Sequence, residues 1–301
     1  MRVILLGSAA GGGVPQWNCD CPNCSDARRS ARPRLQSSVA VTADGERWVL
    51  LNASPDLPAQ LAAHRALWPR DRRSSPISAV VLTDGEIDHT LGLLLMRESA
   101  ARLPVYAPAG VSELLDDPWP LYRVLSAYGS VEPRVLVDGR PIPLTDGSGA
   151  PLGLCCATTA IARRPPRYAA TRPAATFDVG LRISDDRTGG ILAYVPTAGA
   201  IDPAVRQVAR GADLLLFDGT FWSDDELRAH RGDAPTAREM GHLPVGASGG
   251  SLERLSGLGA KHCVLVHVNN TNPLLRRGSP ERTQVEAAGL RVGEDGTEFE
   301  L

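Results

Sequence analysis

Along the chain, short and nearly unbroken apolar runs are separated by polar turns. RVILLG, SSVAVTA and RWVLLNA open it, and the turn residues between them (GGG, ADGE) predict a meander of paired strands. A helical pattern covers 56–67. SAVVLT then reads as a fully buried strand, and a helix beginning near His89 would lay Leu91, Leu93, Leu94, Leu95 and Met96 on a sheet. Residues 104–150 are proline-rich, with a short strand at PVYA and helices around 111–128. In the second half strands are predicted near 152–158, 177–183, 190–195 and 213–218. HCVLVH at 262–267, a helix from Ser279 and a final strand pair follow. Each half closes on strand then helix. That order predicts an α/β chain folded as a four-layer αββα sandwich, one domain over 1–301. IARRPPRYAATRPAAT, at 161–176, offers little to bury and is the expected mobile segment.

Composition narrows the function classes. At 301 residues with 43% hydrophobic residues and a net charge of −2, the chain can bury a proper core. Its basic residues are almost all arginine, with Lys261 the single lysine, and they are scattered, so no nucleic-acid partner is expected. No apolar stretch reaches the roughly 18 residues of a membrane span, and the N-terminus lacks the pattern of a signal peptide. A cytoplasmic protein with no membrane partner is expected. Of the six cysteines, three crowd into one heptapeptide, while Cys155, Cys156 and Cys263 lie in strand-like runs, which is no disulfide framework.

That heptapeptide, NCDCPNC, places Cys19, Cys21 and Cys24 at C-x-C-x-x-C spacing within a loop, 18–25, where a tight turn lets all three sulfurs face one structural Zn2+. Exposed free thiols would gain nothing there. A closed zinc site needs a fourth ligand, and no further cysteine or histidine lies nearby in sequence.

TDGEIDH, after the buried run at 78–82, supplies a second cluster. Asp84, Glu86 and Asp88 alternate, so an extended backbone would put them on one side, with His89 at the helix start. Three converging carboxylates call for a cation, although a solvated acidic cap on the helix is the plainer alternative. Asp218 in LLLFDGTFW and His267 in HCVLVHVNNTNP end apolar strands in the same manner, and His242 in MGHLPV sits in a loop. His64, His230 and His262 neighbour arginine or lysine and are expected at the surface.

These residues carry a resemblance. VVLTDGEIDHTLGL resembles the metallo-β-lactamase superfamily signature, in which a strand ends in HxHxDH and a helix follows. Asp84 and Glu86 stand where the first two histidines would be, while Asp88 and His89 are kept. His267 matches the superfamily's final histidine, and His242 the late-loop histidine of its tRNA-processing members. The third metal histidine would fall around 155–165, where there is none, and the bridging aspartate would fall at Pro196 or Thr197. Together with NCDCPNC, ADLLLFDGTFWSDDE and VHVNNTNP, the pattern is similar to a branch of the superfamily engaged in making the quinone cofactor pyrroloquinoline quinone (PQQ). A phosphodiesterase branch with the same cysteine spacing closes its zinc site with a histidine three residues past the final catalytic one. In this chain that position is Asn270.

Exchanging histidines for carboxylates hardens the centre, and a mononuclear histidine–carboxylate site suits Fe2+ and O2 chemistry. The resemblance implies the same: iron- and O2-dependent hydroxylation of a small tyrosine-derived substrate of the Glu-Tyr type. Other PQQ-pathway enzymes would be partners, and a homodimer is a further expectation. Asp88, His89 and His267 would hold the active-site metal, with Asp218 completing the shell or fixing a ligand histidine. His242, Glu86 and Asp84 would assist catalysis. The arginines at 163–172 would meet substrate carboxylates or else be solvated. A carrier of the cofactor or its precursor toward the periplasm and a metal-dependent hydrolase are the alternative readings.

Overall fold

The apolar runs at the start of the chain form the expected meander. In the computed structural model, which describes residues 1–97, 101–129, 131–161, 165–172 and 177–301, β1 (Arg2–Gly7), β2 (Ser38–Thr42) and β3 (Trp48–Leu51) run antiparallel. Then β4 (Ile77–Val81), β5 (Leu103–Pro108) and β6 (Val131–Leu136) add in parallel. The second sheet starts with β7 (Ile142–Thr145), β8 (Pro151–Ala160), β9 (Val179–Asp185) and β10 (Ile191–Val195), all antiparallel. It continues in parallel through β11 (Leu214–Asp218), β12 (His262–Val266) and β13 (Arg291–Val292). Last comes β14 (Glu298–Glu300), so the sheet orders are 14-1-2-3-4-5-6 and 13-12-11-10-9-8-7.

Side-chain alternation explains why these strands read as continuous apolar runs. Val3, Leu5 and Val81 point inward against Leu181, Tyr194 and Leu216 of the other sheet. Their neighbours Ile4, Leu6 and Leu82 pack outward under helices, as Val195, Phe217 and Leu265 do on the far side. Both faces are covered, so polar residues are excluded from both. The helices are α1 (Pro22–Ser30), α2 (Leu57–Ala63), α3 (Ile87–Thr90), α4 (Gly92–Leu95), α5 (Ala109–Asp116), α6 (Leu121–Ser126), α7 (Pro203–Ala209), α8 (Leu252–Leu255) and α9 (Pro280–Ala287). Among the described residues no helix is long and apolar enough to cross a membrane.

Four details differ from expectation. β6 and β7 were not foreseen; Pro133 and Pro143 interrupt their pattern, which edge strands tolerate. The final two strands do not pair with each other, because β13 extends β12 while β14 crosses to β1. The second half of the cysteine heptapeptide is not loop but the first turn of α1. The helix expected after His89 is two four-residue pieces, α3 and α4, with Gly92 N–H donating to Ala53 O at 2.9 Å. A Cβ at Gly92 would lie 2.3 Å from Ser54 O, so only glycine permits that contact. The expected mobile stretch 161–176 lies partly outside the described residues, at 162–164 and 173–176.

Loops from both sheets are stitched together at one end of the sandwich. Ala9 bridges Val268, Asp84 bridges Asp178, and Val179 N–H donates to Thr83 O at 2.9 Å. The ends of β4, β11 and β12 therefore open onto a shared crevice, as parallel sheets favour.

Candidate metal centres

The crevice gathers Asp88 and His89 from α3, His267 just past β12 and His242 from a loop, around a cavity of about 800 Å³. His267 takes a left-handed backbone, φ 58°, uncommon for a residue with a side chain and found where function holds it in place. Gly11 makes room on the opposite wall, since a Cβ there would come 3.0 Å from Asp88 Oδ2.

Hydrogen bonds set the state of each imidazole. Both oxygens of Asp84 lie 2.8 Å from His89 Nδ1, so this nitrogen carries a proton and Nε2 is the lone-pair atom. Thr220 Oγ1–H donates to Asp218 Oδ1 at 2.6 Å, so Thr220 Oγ1 in turn accepts from His267 Nδ1–H at 2.8 Å, and again Nε2 holds the lone pair. Yet His267 Nε2 lies 3.3 Å, and His89 Nε2 3.8 Å, from Asp88 Oδ2. Two lone-pair nitrogens around a carboxylate oxygen form a set of acceptors that a cation, or failing that a proton, must fill. Burial alone would raise the Asp88 carboxyl; when the His89 and His267 imidazoles carry protons, their charge instead holds it well below the usual carboxylate range, and a cation between them would take over that role. The donor set thus fits a metal ion.

A second set, Asp218, His242 and His267, shares His267 with the first. Asp218 is fully buried, and its oxygens already receive Thr220 N, Thr220 Oγ1, Ala198 N and His242 Nδ1 within 2.9 Å. Burial works to raise its carboxyl, but the His242 imidazole beside it brings the group below its ordinary range. His242 stacks on His267 with centroids 5.5 Å apart and lines the cavity.

The three carboxylates of TDGEIDH do not converge. Asp84 is buried beneath His89, Asp88 faces the crevice, and Glu86 lines the cavity while preceding α3. The alternation argument assumed an extended segment, but Asp84 turns back to accept Glu86 N–H at 2.9 Å. Thr197 lines the cavity where the superfamily has a bridging aspartate. His230 and His262 are exposed and His64 half-buried, and none of the three lines the crevice. Arg163 and Arg164 lie outside the described residues, whereas Arg167 lines the cavity and Arg172 pairs with Asp117. Sequence reasoning missed Thr220, which orients His267. It also missed Asn52 and Thr83, where Asn52 Nδ2 donates to Thr83 Oγ1 at 2.9 Å and that hydroxyl donates to Asp84 at 2.8 Å. A threonine two residues after a strand-end aspartate was the available signal for the first; nothing local marks Asn52.

The three thiols of the heptapeptide also meet. Their sulfurs lie within 4.8 Å of one another, close enough for one tetrahedral ion. Asn270 caps the cluster, its Nδ2 standing 3.1, 3.7 and 3.3 Å from the sulfurs of Cys19, Cys21 and Cys24. The same carboxamide turned over presents Oδ1, an oxygen a cation could take. Asn23 fixes the loop by donating to the backbone oxygens of Asn270 and Asn272 at 2.9 Å. Burial pushes the Cys21 thiol up to about 11, whereas Cys19, though burial opposes it, is brought below its ordinary value by hydrogen bonds from Cys21, Cys24 and Asn270. A cation among the sulfurs offsets the burial of thiolates.

Comparison with known proteins agrees with this geometry. Residues 47–268 match the β-lactamase superfamily domain. Coenzyme PQQ synthesis protein B of Cupriavidus necator is 44% identical over 99% of both chains. The crystal structure of Zn2+-bound PqqB from Methylobacterium extorquens superposes with a TM-score of 0.90 at 38% identity over the whole of both chains. A diphosphatase of the PhnP family gives a TM-score of 0.70 at 25% identity, over all of this chain and 97% of the other. Related along its full length to proteins of that name, with their fold of two mixed sheets between helices, the chain belongs to the coenzyme PQQ synthesis protein B family of the metallo-β-lactamase superfamily.

Proposed function

We propose that this chain serves PQQ biosynthesis as an iron- and O2-dependent hydroxylase of a small tyrosine-derived precursor, with one Fe2+ held by Asp88, His89 and His267. The observation that carries this reading is the mutual facing of three acceptors, two imidazole nitrogens and a carboxylate oxygen, beside an open cavity. Histidine-plus-carboxylate donors suit ferrous iron, which when bound supplies activation of O2. A second metal would have to share His267 and rely on Asp218, whose oxygens already have four donors.

We assign Asp218 to holding His242 rather than to the metal. His242 then holds or delivers a proton at Nε2, the ring nitrogen not bonded to Asp218, and Asp84 fixes the tautomer of His89. Glu86, at the cavity wall, is the remaining carboxylate near substrate. Cys19, Cys21 and Cys24 take the structural Zn2+, with Asn270 as its fourth ligand through Oδ1. The zinc named for the PqqB crystal structure supports metal binding by this family. The related diphosphatase favours a second reading, a metal-dependent hydrolase using the Asp218–His242 pair.

Metal analysis of anaerobically prepared, iron-replete protein tests the assignment, together with O2 uptake on a tyrosine dipeptide. One zinc and one iron are expected, with only the iron lost in His89→Ala and turnover down by about 100-fold or more, as loss of a metal ligand implies. Zinc alone in both proteins, with phosphodiester cleavage and no O2 uptake, would establish the hydrolase instead.

A further inference from the structure

The metal chemistry leaves one charged group at the crevice unexplained. Arg167 lines the cavity, and it is the only arginine or lysine to do so among the described residues. Among the described residues its guanidinium has no hydrogen-bond or ion-pair partner. Neighbouring arginines are engaged: Arg172 donates to Asp117 O at 3.0 Å, and Arg228 lies 3.3 Å from Glu239.

The backbone beneath Arg167 is fixed against the metal loop. Residues Arg167–Ala169 form a single 3-10 turn, with Ala169 N–H donating to Pro166 O at 2.8 Å. Tyr168 donates its hydroxyl to Gly85 O, one residue before Glu86 and three before Asp88. That docking depends on glycine, since a Cβ at 85 would come 2.9 Å from the Tyr168 oxygen. Ala169 packs with Leu114 and Phe177 on the other side. A guanidinium is therefore carried on a turn tied to the chain that bears Asp88 and His89, while Ile87, Phe221 and Met240 supply apolar wall. An unpaired cation beside such a surface attracts an anion, and a guanidinium fork matches a carboxylate through two hydrogen bonds.

We propose that Arg167 is the carboxylate anchor of a substrate subsite, binding an amino-acid or short-peptide acid whose aromatic body lies against Ile87, Phe221 and Met240. The subsite rests on the reading of the crevice as the reaction centre, and it deepens that reading by specifying an acidic, aromatic substrate. Arg167 positions the substrate and takes no part in bond making.

Calorimetric titration of the metal-loaded protein under anaerobic conditions tests it, with L-tyrosine, 3-(4-hydroxyphenyl)propionate and tyramine as probes. The wild type should bind both acids about ten-fold or more tightly than tyramine, which lacks the carboxylate. Arg167→Met should weaken both acids by about ten-fold while leaving tyramine within about two-fold, and Arg167→Lys should recover part of the loss. Arg167→Glu should prefer tyramine. Undiminished acid binding by Arg167→Met, or no preference for acids in the wild type, would overturn the subsite. Acid binding as described but no O2 uptake with iron would sink the hydroxylase and leave the subsite standing. Turnover with an unchanged KM in Arg167→Met would do the reverse.

Discussion

The cysteine cluster and the Asp88–His267 crevice are built in opposite ways, although Asn270 and His267 lie three residues apart. In the first, three sulfurs and one carboxamide close around a point, and helix α1 covers it. In the second, nitrogen and oxygen donors leave one side open to a cavity of about 800 Å³. A saturated thiolate set stabilises a fold, whereas an unsaturated harder set leaves room for substrate. The difference teaches that the two donor sets are distinguished by chemistry and by access rather than by distance.

The strongest way to break the comparison is Cys24→Ser. If the cluster is structural, the variant loses its zinc along with about 3 kcal/mol of stability, roughly 6–12 °C in Tm, as read by calorimetry and metal analysis. An unchanged Tm would make the cluster something other than a structural site. Asp84→Asn acts on the other side, keeping the shape but removing the carboxylate that holds His89 Nδ1. Iron affinity should drop by about 10–100-fold with zinc content unchanged, measured by competition with a chelator. Equal affinity would mean Asp84 does not govern His89.

Glu226 joins the two regions and sharpens the comparison through pH. It accepts Trp222 N–H at 2.7 Å and Thr271 Oγ1–H at 2.5 Å, and Thr271 lies between Asn270 and Asn272. Burial pushes its carboxyl from 4.5 up to about 7, although the hydrogen bonds from Thr271 and Trp222 oppose the rise. Between those two values the folded state keeps a proton that the unfolded chain has released, so stability falls as pH rises through this window. Glu226→Gln should flatten that part of a denaturation-against-pH curve; an identical slope would show that Glu226 does not titrate there. The smallest effect belongs to Asn270→His, which supplies a stronger zinc ligand at the same place. Zinc should be held more tightly and Tm should rise by about 2 °C. Weaker zinc binding would show that an imidazole does not fit the cap.

Much of this was legible in the chain because strand-end chemistry survives without neighbours. Asp88, His89, Asp218 and His267 all follow apolar runs, and the fold brings those run ends to one crevice. The cysteine spacing was equally local. What sequence could not supply was the direction of each hydrogen bond: the donors that Asp84 and Asp218 accept from are not marked by their strand-end positions. Asn52 stayed invisible for another reason. Its contact with Thr83 joins two neighbouring strands, and its left-handed backbone, φ 62°, has no sequence marker beyond asparagine's tolerance for it. The strands β6 and β7 were hidden by their prolines.

One loop, residues 267–272, carries His267 into the crevice and Asn270 onto the sulfurs, while Asn272 anchors it to the oxygens of Gly219 and Thr220 at 2.9 and 3.1 Å. Thr220 is itself the residue that orients His267. On the proposed assignment, zinc at the sulfurs would set this loop before the crevice receives its iron. A chelator that strips only zinc would then abolish the proposed oxygen chemistry at a centre to which that zinc contributes no ligand.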